Sequence, residues 1–291
     1  MGRRRVVPFA IVLGLVAGAA ATVGPASAAA APGRVVAVRE PTRIVSISPT
    51  ATEMLYAIGA GRQVVAVDSF SDYPSHAPRT GLSGDSPNTE AIAAYRPDLV
   101  LLPDNTVSDQ LTALGIANLV LPPVNTLADS YHQILQIGAA TGHTTAAHAL
   151  NASIRSQLAS ITAQVPKRSV RPAVYWELDD TFYSADSSSF IGQLLREAGL
   201  RNIADKASGG SSGYPQLSAE YVVQANPAVI FLADTLCCGQ TPATVAGRPG
   251  FSHVAAVVHH HVVPLNDDVA SRWGPRVVQL FHEIVNATKQ L

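Results

Sequence analysis

With 291 residues, 47% of them hydrophobic and 14% charged, the chain can bury one large core or two smaller ones, and its composition excludes intrinsic disorder. A formal charge of −1, with a basic run only at the extreme N-terminus, gives no electrostatic case for nucleic acid. The adjacent Cys237 and Cys238 lack zinc-site spacing and form either a vicinal disulfide or a reduced pair in a loop.

The N-terminus carries a processing signal. Arg3-Arg4-Arg5 precede an apolar run from Val6 to about Val23, and Ala26-Ser27-Ala28 follow. That is the charged, apolar, small-residue order of a secretory signal peptide over residues 1–28. The Gly/Ala content and the Ala-x-Ala ending favour cleavage over an uncleaved anchor. The expectation is an exported protein, periplasmic or on the outer face of the envelope. The arginine run also admits twin-arginine export. No cysteine lies near the cleavage point, so no lipid anchor is expected.

Beyond the leader, Arg43–Ile47 is an apolar strand, and Ser48-Pro49 opens a helix that Gly59 ends. Val64–Val67 is a second strand, followed by a loop through Phe70 and Tyr73. A helix near Val107–Leu114 and a strand from Ala117 to Leu121 come later. From Leu127 to Val165 the period is helical, interrupted at Gly142, and the run after His143 predicts a helix of about twenty residues, roughly 30 Å long. Ala173–Trp176 starts a second strand–helix series, with a helix over Phe190–Ala198 and a strand over His261–Leu265. The loop from Asn266 to Arg276 and a helix from Val277 close the chain.

Two stretches repeat. Asn88-Thr-Glu90 through Pro97 to Asp104 aligns without a gap on Ser218-Ala-Glu220 through Pro227 to Asp234. Each has a capping residue, a glutamate two positions on, a short helix, a proline that stops it, and a buried apolar strand. One helix–strand unit found twice, about half a chain apart, predicts two similar lobes. The expected architecture is α/β: Rossmann-like lobes with mainly parallel sheets over 34–125 and 167–291. A helical region over 126–166 contains the long connecting helix. Ligands of such sheets sit beyond the carboxyl ends of the strands, in the cleft between lobes. Phe70, Tyr73, Tyr183, Tyr214, Asp268, Arg272 and Trp273 fall in such loops and suit a large flat ligand.

Competing motifs carry less. Gly209-Gly-Ser211-Ser-Gly213 matches a nucleophile elbow but lacks the flanking strand and helix, so an exported hydrolase using Ser211 is only the alternative. His259-His260-His261 with His253 cannot all face one ion from a single turn, and no metal site is expected. Glu90 and Glu220 either stabilise their helix N-termini or present one outward carboxylate per lobe to a partner.

Taken together, Arg43-Ile-Val-Ser-Ile-Ser-Pro-Thr-Ala-Thr-Glu53, Ser71-Asp-Tyr-Pro74, Asn88-Thr-Glu90, Arg96-Pro-Asp-Leu-Val100, Tyr214-Pro-Gln-Leu-Ser218 and Ser271-Arg-Trp-Gly-Pro-Arg276 are highly specific. By them the chain resembles the iron-siderophore and cobalamin class of substrate-binding proteins of ABC importers, over nearly everything after the leader. The resemblance implies two lobes on one long helix with limited hinge motion. It also implies that Glu90 and Glu220 dock onto arginines of an ABC permease dimer with its ATPase subunits. Ser71-Asp-Tyr-Pro74 looks most like the cobalamin binders, in which residues matching Phe70, Tyr214, Asp268 and Arg272 line the corrinoid pocket. Those binders carry tryptophans where this chain has Gly84 and Pro103, which opens the ligand class to another corrinoid, a haem or a ferric siderophore. The resemblance therefore implies a monomeric carrier, not an enzyme, with no covalent cofactor and with membrane contact only through the permease. A stand-alone carrier without a transporter is the second alternative.

Overall fold

The computed structural model describes residues 40–207 and 213–291; the signal-peptide segment and Ser211 lie outside them. The first strand, β1 (Ile44–Ser46), leads into α1 (Pro49–Ala57). The Ser48 side chain caps α1 by accepting the Ala51 N–H, and Pro49 occupies the first turn, where its missing N–H costs nothing. Next come β2 (Val64–Val67), α2 (Thr89–Ala93), β3 (Leu99–Leu102), α3 (Ser108–Ala113) and β4 (Ala117–Val120). The four strands form one parallel sheet in the order β2-β1-β3-β4.

Two helices follow. A Thr126–Asp129 capping box starts α4 (Leu127–Thr141), and Gly142 ends it at a φ of 79°, a left-handed position that suits glycine. Then α5 (Thr144–Thr162) runs for 19 residues and packs on α4. The expected long helix is present, and the interruption falls at Gly142.

The second series is β5 (Ala173–Glu177), α6 (Phe190–Glu197), β6 (Arg201–Asn202), α7 (Ala219–Ala225), β7 (Val229–Leu232), α8 (Thr235–Cys238), α9 (Pro242–Ala246), α10 (Ala255–Val258) and β8 (Val262–Pro264). Its sheet is again parallel, in the order β6-β5-β7-β8. The chain closes with α11 (Asp267–Ser271) and α12 (Val277–Thr288), the latter also packed on α5. Two readings differ from the sequence expectation. Arg201–Asn202 is a two-residue strand, too short to show periodicity. The segment after β8 is a capped helical turn rather than plain loop, because Asn266 Oδ1 accepts the Val269 N–H.

Strand alternation decides the layers. Leu99, Leu101, Val174, Trp176, Val229 and Phe231 point into one apolar core, which also takes in residues of α1, α4, α5, α6 and α12. Val100 and Leu102 point to a second cluster on the other face of the first sheet. Ala173, Tyr175, Ile230 and Leu232 do the same in the second sheet. Sheets buried on both faces account for the near-continuous apolar runs of the strands. Both sheets reach into the same central core, so the lobes are joined by packed side chains as well as by α5.

The two repeats are α2–β3 and α7–β7. Asn88 Oδ1 accepts the Ala91 N–H at 2.7 Å, and Ser218 Oγ accepts the Tyr221 N–H at 3.1 Å. Their ends differ: Asp104 is exposed, whereas Asp234 is wholly buried. Cys237 and Cys238 form a vicinal disulfide in α8. Asp267 holds that turn by accepting the N–H groups of Thr235, Leu236 and Cys237.

Candidate functional site: a cleft anchored by buried arginines

Three of the motifs quoted above, far apart in sequence, meet at one place. Glu53 comes from α1, Asp72 from the loop after β2, and Arg272 and Arg276 from the segment around and after α11. Arg272 lies only 6% exposed and donates to Glu53 Oε1 at 3.0 Å, Asp72 Oδ1 at 2.8 Å, the Phe70 carbonyl at 2.9 Å and the Asp268 carboxylate. Arg276 donates Nε to Glu53 Oε2 at 2.9 Å and Nη2 to Glu53 Oε1 at 2.5 Å. Its guanidinium also lies 4.5 Å from the centre of the Tyr73 ring. The neighbouring Trp273 donates Nε1–H to Gln133 of α4 at 2.8 Å, and its carbonyl accepts from Ser130. The C-terminal segment is thus clasped onto the first lobe by buried, charge-assisted hydrogen bonds.

A cavity of about 310 Å³ opens over this clasp, lined from one side by Ser48, Phe70, Gly84 and Pro103 and from the other by Asp268, Arg272 and Trp273. Four expected ligand-binding residues, Phe70, Asp268, Arg272 and Trp273, therefore come together, and Phe70 remains 60% exposed at the rim. Tyr73 is not with them. It lines an adjoining cavity of about 490 Å³ with Glu53, Tyr56, His76 and Arg276. Tyr183 and Tyr214 sit on second-lobe loops joined by the Tyr183–Gln216 bridge and the Ser184 N–H to Pro215 carbonyl bond. They are exposed and are not among the residues lining the 310 Å³ cavity.

Gly84 and Pro103 do lie in that cavity, and the glycine has a local cause. A Cβ at position 84 would stand 2.4 Å from the Ile47 carbonyl oxygen, closer than real contacts allow. No side chain fits without moving the end of β1.

Charge in the cleft is finely balanced. Burial raises the Asp68 carboxyl above its ordinary range, against the opposing hydrogen bond from Ser71 and the charge of Arg272. At Asp72 burial also opposes ionisation, but the Arg272 hydrogen bond and charge outweigh it and hold the carboxyl below the usual value. Asp268 is pushed up by burial and by Asp72, with Arg272 pulling the other way. Every guanidinium N–H that Arg272 points at an acceptor is already taken by the protein. Through these bonds it fixes the Phe70 backbone and the Asp268 carboxylate at the cavity. Sequence reasoning missed Glu53, Asp72 and Arg276. All three lie inside the motifs quoted above, Glu53 and Arg276 at the ends of theirs.

Glu90 and Glu220 are both exposed, each in the first turn of its repeat helix. Glu220 is held below the usual carboxylate range by its own backbone N–H and the Ser218 hydroxyl. His259, His260 and His261 sit at the turn before β8, and among the described residues no group of three or more His, Cys, Asp or Glu could hold a metal.

A second buried ion pair lies in the other lobe. Arg248 donates to both oxygens of Glu177, at 2.6 and 2.7 Å. Asp234 is buried beside it, and neither of its carboxyl oxygens has a hydrogen-bond partner among the described residues. Burial first, then the charge of Glu177, push Asp234 up to about 7. A raised acid holds a proton in the fold that the unfolded chain releases above about pH 4. Its contribution therefore falls as pH rises from about 4 to about 7 and is flat above that. Asp234→Asn is expected to raise the melting temperature at pH 8 by about 5 °C, on the order of 2 kcal/mol, and to change little at pH 4. Equal gains in thermal melts at both pH values would contradict this origin.

Two parallel-sheet lobes sharing a long helix, with an aromatic-rimmed cleft, define a two-lobed binding protein. The chain belongs to the periplasmic binding protein family, whose model matches residues 44–269. This is a family of binding proteins, not of enzymes. The chain is 34% identical over 254 residues to a cobalamin-binding protein of Halobacterium salinarum, covering 84% of this chain and 68% of that one. It is 30% identical to an uncharacterised ABC transporter substrate-binding lipoprotein, YvrC, of Bacillus subtilis, covering 84% and 78%. The periplasmic vitamin B12 binding protein BtuF of Vibrio cholerae shares the fold at 23% identity, with a TM-score of 0.69 over 86% of this chain and 97% of that one.

Proposed function

We propose that the protein is the exported substrate-binding component of an ABC importer and that it captures a bulky corrinoid, cobalamin foremost, for delivery to the permease. The observation that carries this reading is the convergence of Phe70, Asp268, Arg272 and Trp273 on one cavity, in a chain 34% identical to a cobalamin-binding protein. A flat ligand buries its faces against Phe70 and Trp273, with Tyr214 and Tyr183 contributing from the second lobe and Tyr73 from the adjoining cavity. Asp268, oriented by Arg272, accepts from the polar groups at the ligand's edge. Glu90 and Glu220 meet basic residues of the permease, one lobe each. No reaction is involved: the cycle is capture, docking and release, performed by a monomer that touches the membrane only through the transporter.

Gly84 and Pro103 leave the cleft without two large rings and make haem and ferric siderophores the next ligand classes. Calorimetric titration of the purified protein with cyanocobalamin tests the assignment. Native protein should bind, and Phe70→Ala should bind about tenfold to a hundredfold more weakly, the cost of one buried aromatic contact. Equal affinities would remove Phe70 from the site.

A further inference from the structure

A recess of about 850 Å³ lies outside the cleft, on the flank of the second lobe, with Glu220 on its rim. The turn carrying Asp180 and Phe182 also lines it, together with Val223, Arg248 and Pro249. Arg248 and Pro249 have a topological origin. In the first lobe the connection from β3 to β4 is residues 103–116 and holds one helix, α3. In the second lobe the corresponding connection is residues 233–261, which adds α8, α9 and α10 and supplies Arg248 and Pro249. The recess thus combines residues of the repeat helix α7 with residues of a connection that has no counterpart in the first lobe.

Its charge is one-sided. Arg248 is the only basic residue among those lining it, and it is spent: both Glu177 oxygens and Gln240 Oε1, at 2.9 Å, accept from it, and it lies over the Phe182 ring. Asp180 and Glu220 are exposed and make no ion pair among the described residues. The turn that presents Asp180 is fixed, because Asp179 Oδ1 accepts the N–H groups of Thr181 and Tyr183 and the Thr181 hydroxyl. Two carboxylates with no cationic partner among the described residues thus line one recess together with Phe182, Val223 and Pro249. That combination fits a long side chain with an apolar stem and a cationic head.

We infer that this recess is a socket for a lysine or arginine side chain of the permease, held between Asp180 and Glu220. The inference rests on the docking role proposed above for Glu220, and it adds Asp180 as a docking residue and makes the second lobe the one that sets orientation. Charge complementarity names the occupant, and such pairs govern orientation and association rate in particular.

The test uses the full protein and the ABC permease recovered with it from solubilised membranes of the source cells, reconstituted in nanodiscs. Affinity is measured against salt concentration for the native protein and for Asp180→Asn, Asp180→Lys, Glu220→Gln and Glu90→Gln. Asp180→Asn should bind the permease about tenfold more weakly with a shallower salt dependence, and Asp180→Lys more weakly still. Neither should alter cyanocobalamin binding or the melting temperature by more than about a degree, because Asp180 is exposed and unpaired. Asp180→Asn binding like the native protein while Glu220→Gln weakens would overturn the socket and leave the docking role standing. No effect from Glu220→Gln or Glu90→Gln would overturn the docking role itself. Stabilisation of the native protein, but not of Asp180→Asn, by millimolar arginine amide, with permease affinity unchanged in the variant, would make the recess a small-cation site and also overturn the socket.

Discussion

Glu53→Ala is expected to destabilise the protein by about 3–5 kcal/mol, a loss seen as a melting temperature lower by about 10 °C. The Glu53 side chain is 1% exposed and receives three charge-assisted hydrogen bonds from Arg272 and Arg276. Its removal takes from Arg276, 16% exposed, the carboxylate it is paired with, and from Arg272, 6% exposed, one of the three carboxylates that hold it. Asp72→Ala should cost far less, about 1 kcal/mol or below, because that side chain is 41% exposed and its charge is screened by water. The graded pair isolates burial from mere proximity to Arg272. Denaturant unfolding of both variants checks it. Similar small losses in the two would show that the clasp is not what joins the C-terminal segment to the first lobe.

The second large effect is on transport. Charge reversal at both outward carboxylates, Glu90→Lys with Glu220→Lys, should abolish uptake of the ligand in cells. On the docking role proposed above, each substitution replaces an attraction with a repulsion at a separate contact, and like-charge juxtaposition is strongly unfavourable. Both side chains are exposed in helix first turns, so the fold should lose little at either site beyond a solvent-screened helix-end interaction. Radiolabelled cobalamin uptake, with folding followed by circular dichroism, measures this. Undiminished uptake by a folded double variant would favour a stand-alone carrier.

Much of this architecture was legible because it depends on short-range chemistry. Asn88 and Ser218 announce helix starts, Pro97 and Pro227 forbid continuation, and the apolar runs that follow have no polar face to expose. The two sheets and the helix after Gly142 follow from such signals. What was not legible depends on distance. Nothing local marks Glu53 as the partner of Arg272 and Arg276, more than two hundred positions away. Asp104 and Asp234 occupy the same place in the repeat, yet one faces water and the other lies buried beside Glu177. The longer second-lobe connection brings Gln240 and Arg248 to Asp234, a neighbourhood that the repeat alone does not show. Tyr73 shows the same limit. Its loop points at the cleft by sequence, but Arg276 draws its ring to the adjoining cavity.

The most direct measurement of the central claim is the absorbance spectrum of the protein purified from its source cells, followed by titration with cyanocobalamin, haem and ferric siderophores. Capture between the lobes predicts a coloured protein with a corrinoid spectrum, or a colourless one that takes up cyanocobalamin at one ligand per chain. A folded protein that binds none of the three ligand classes would contradict it.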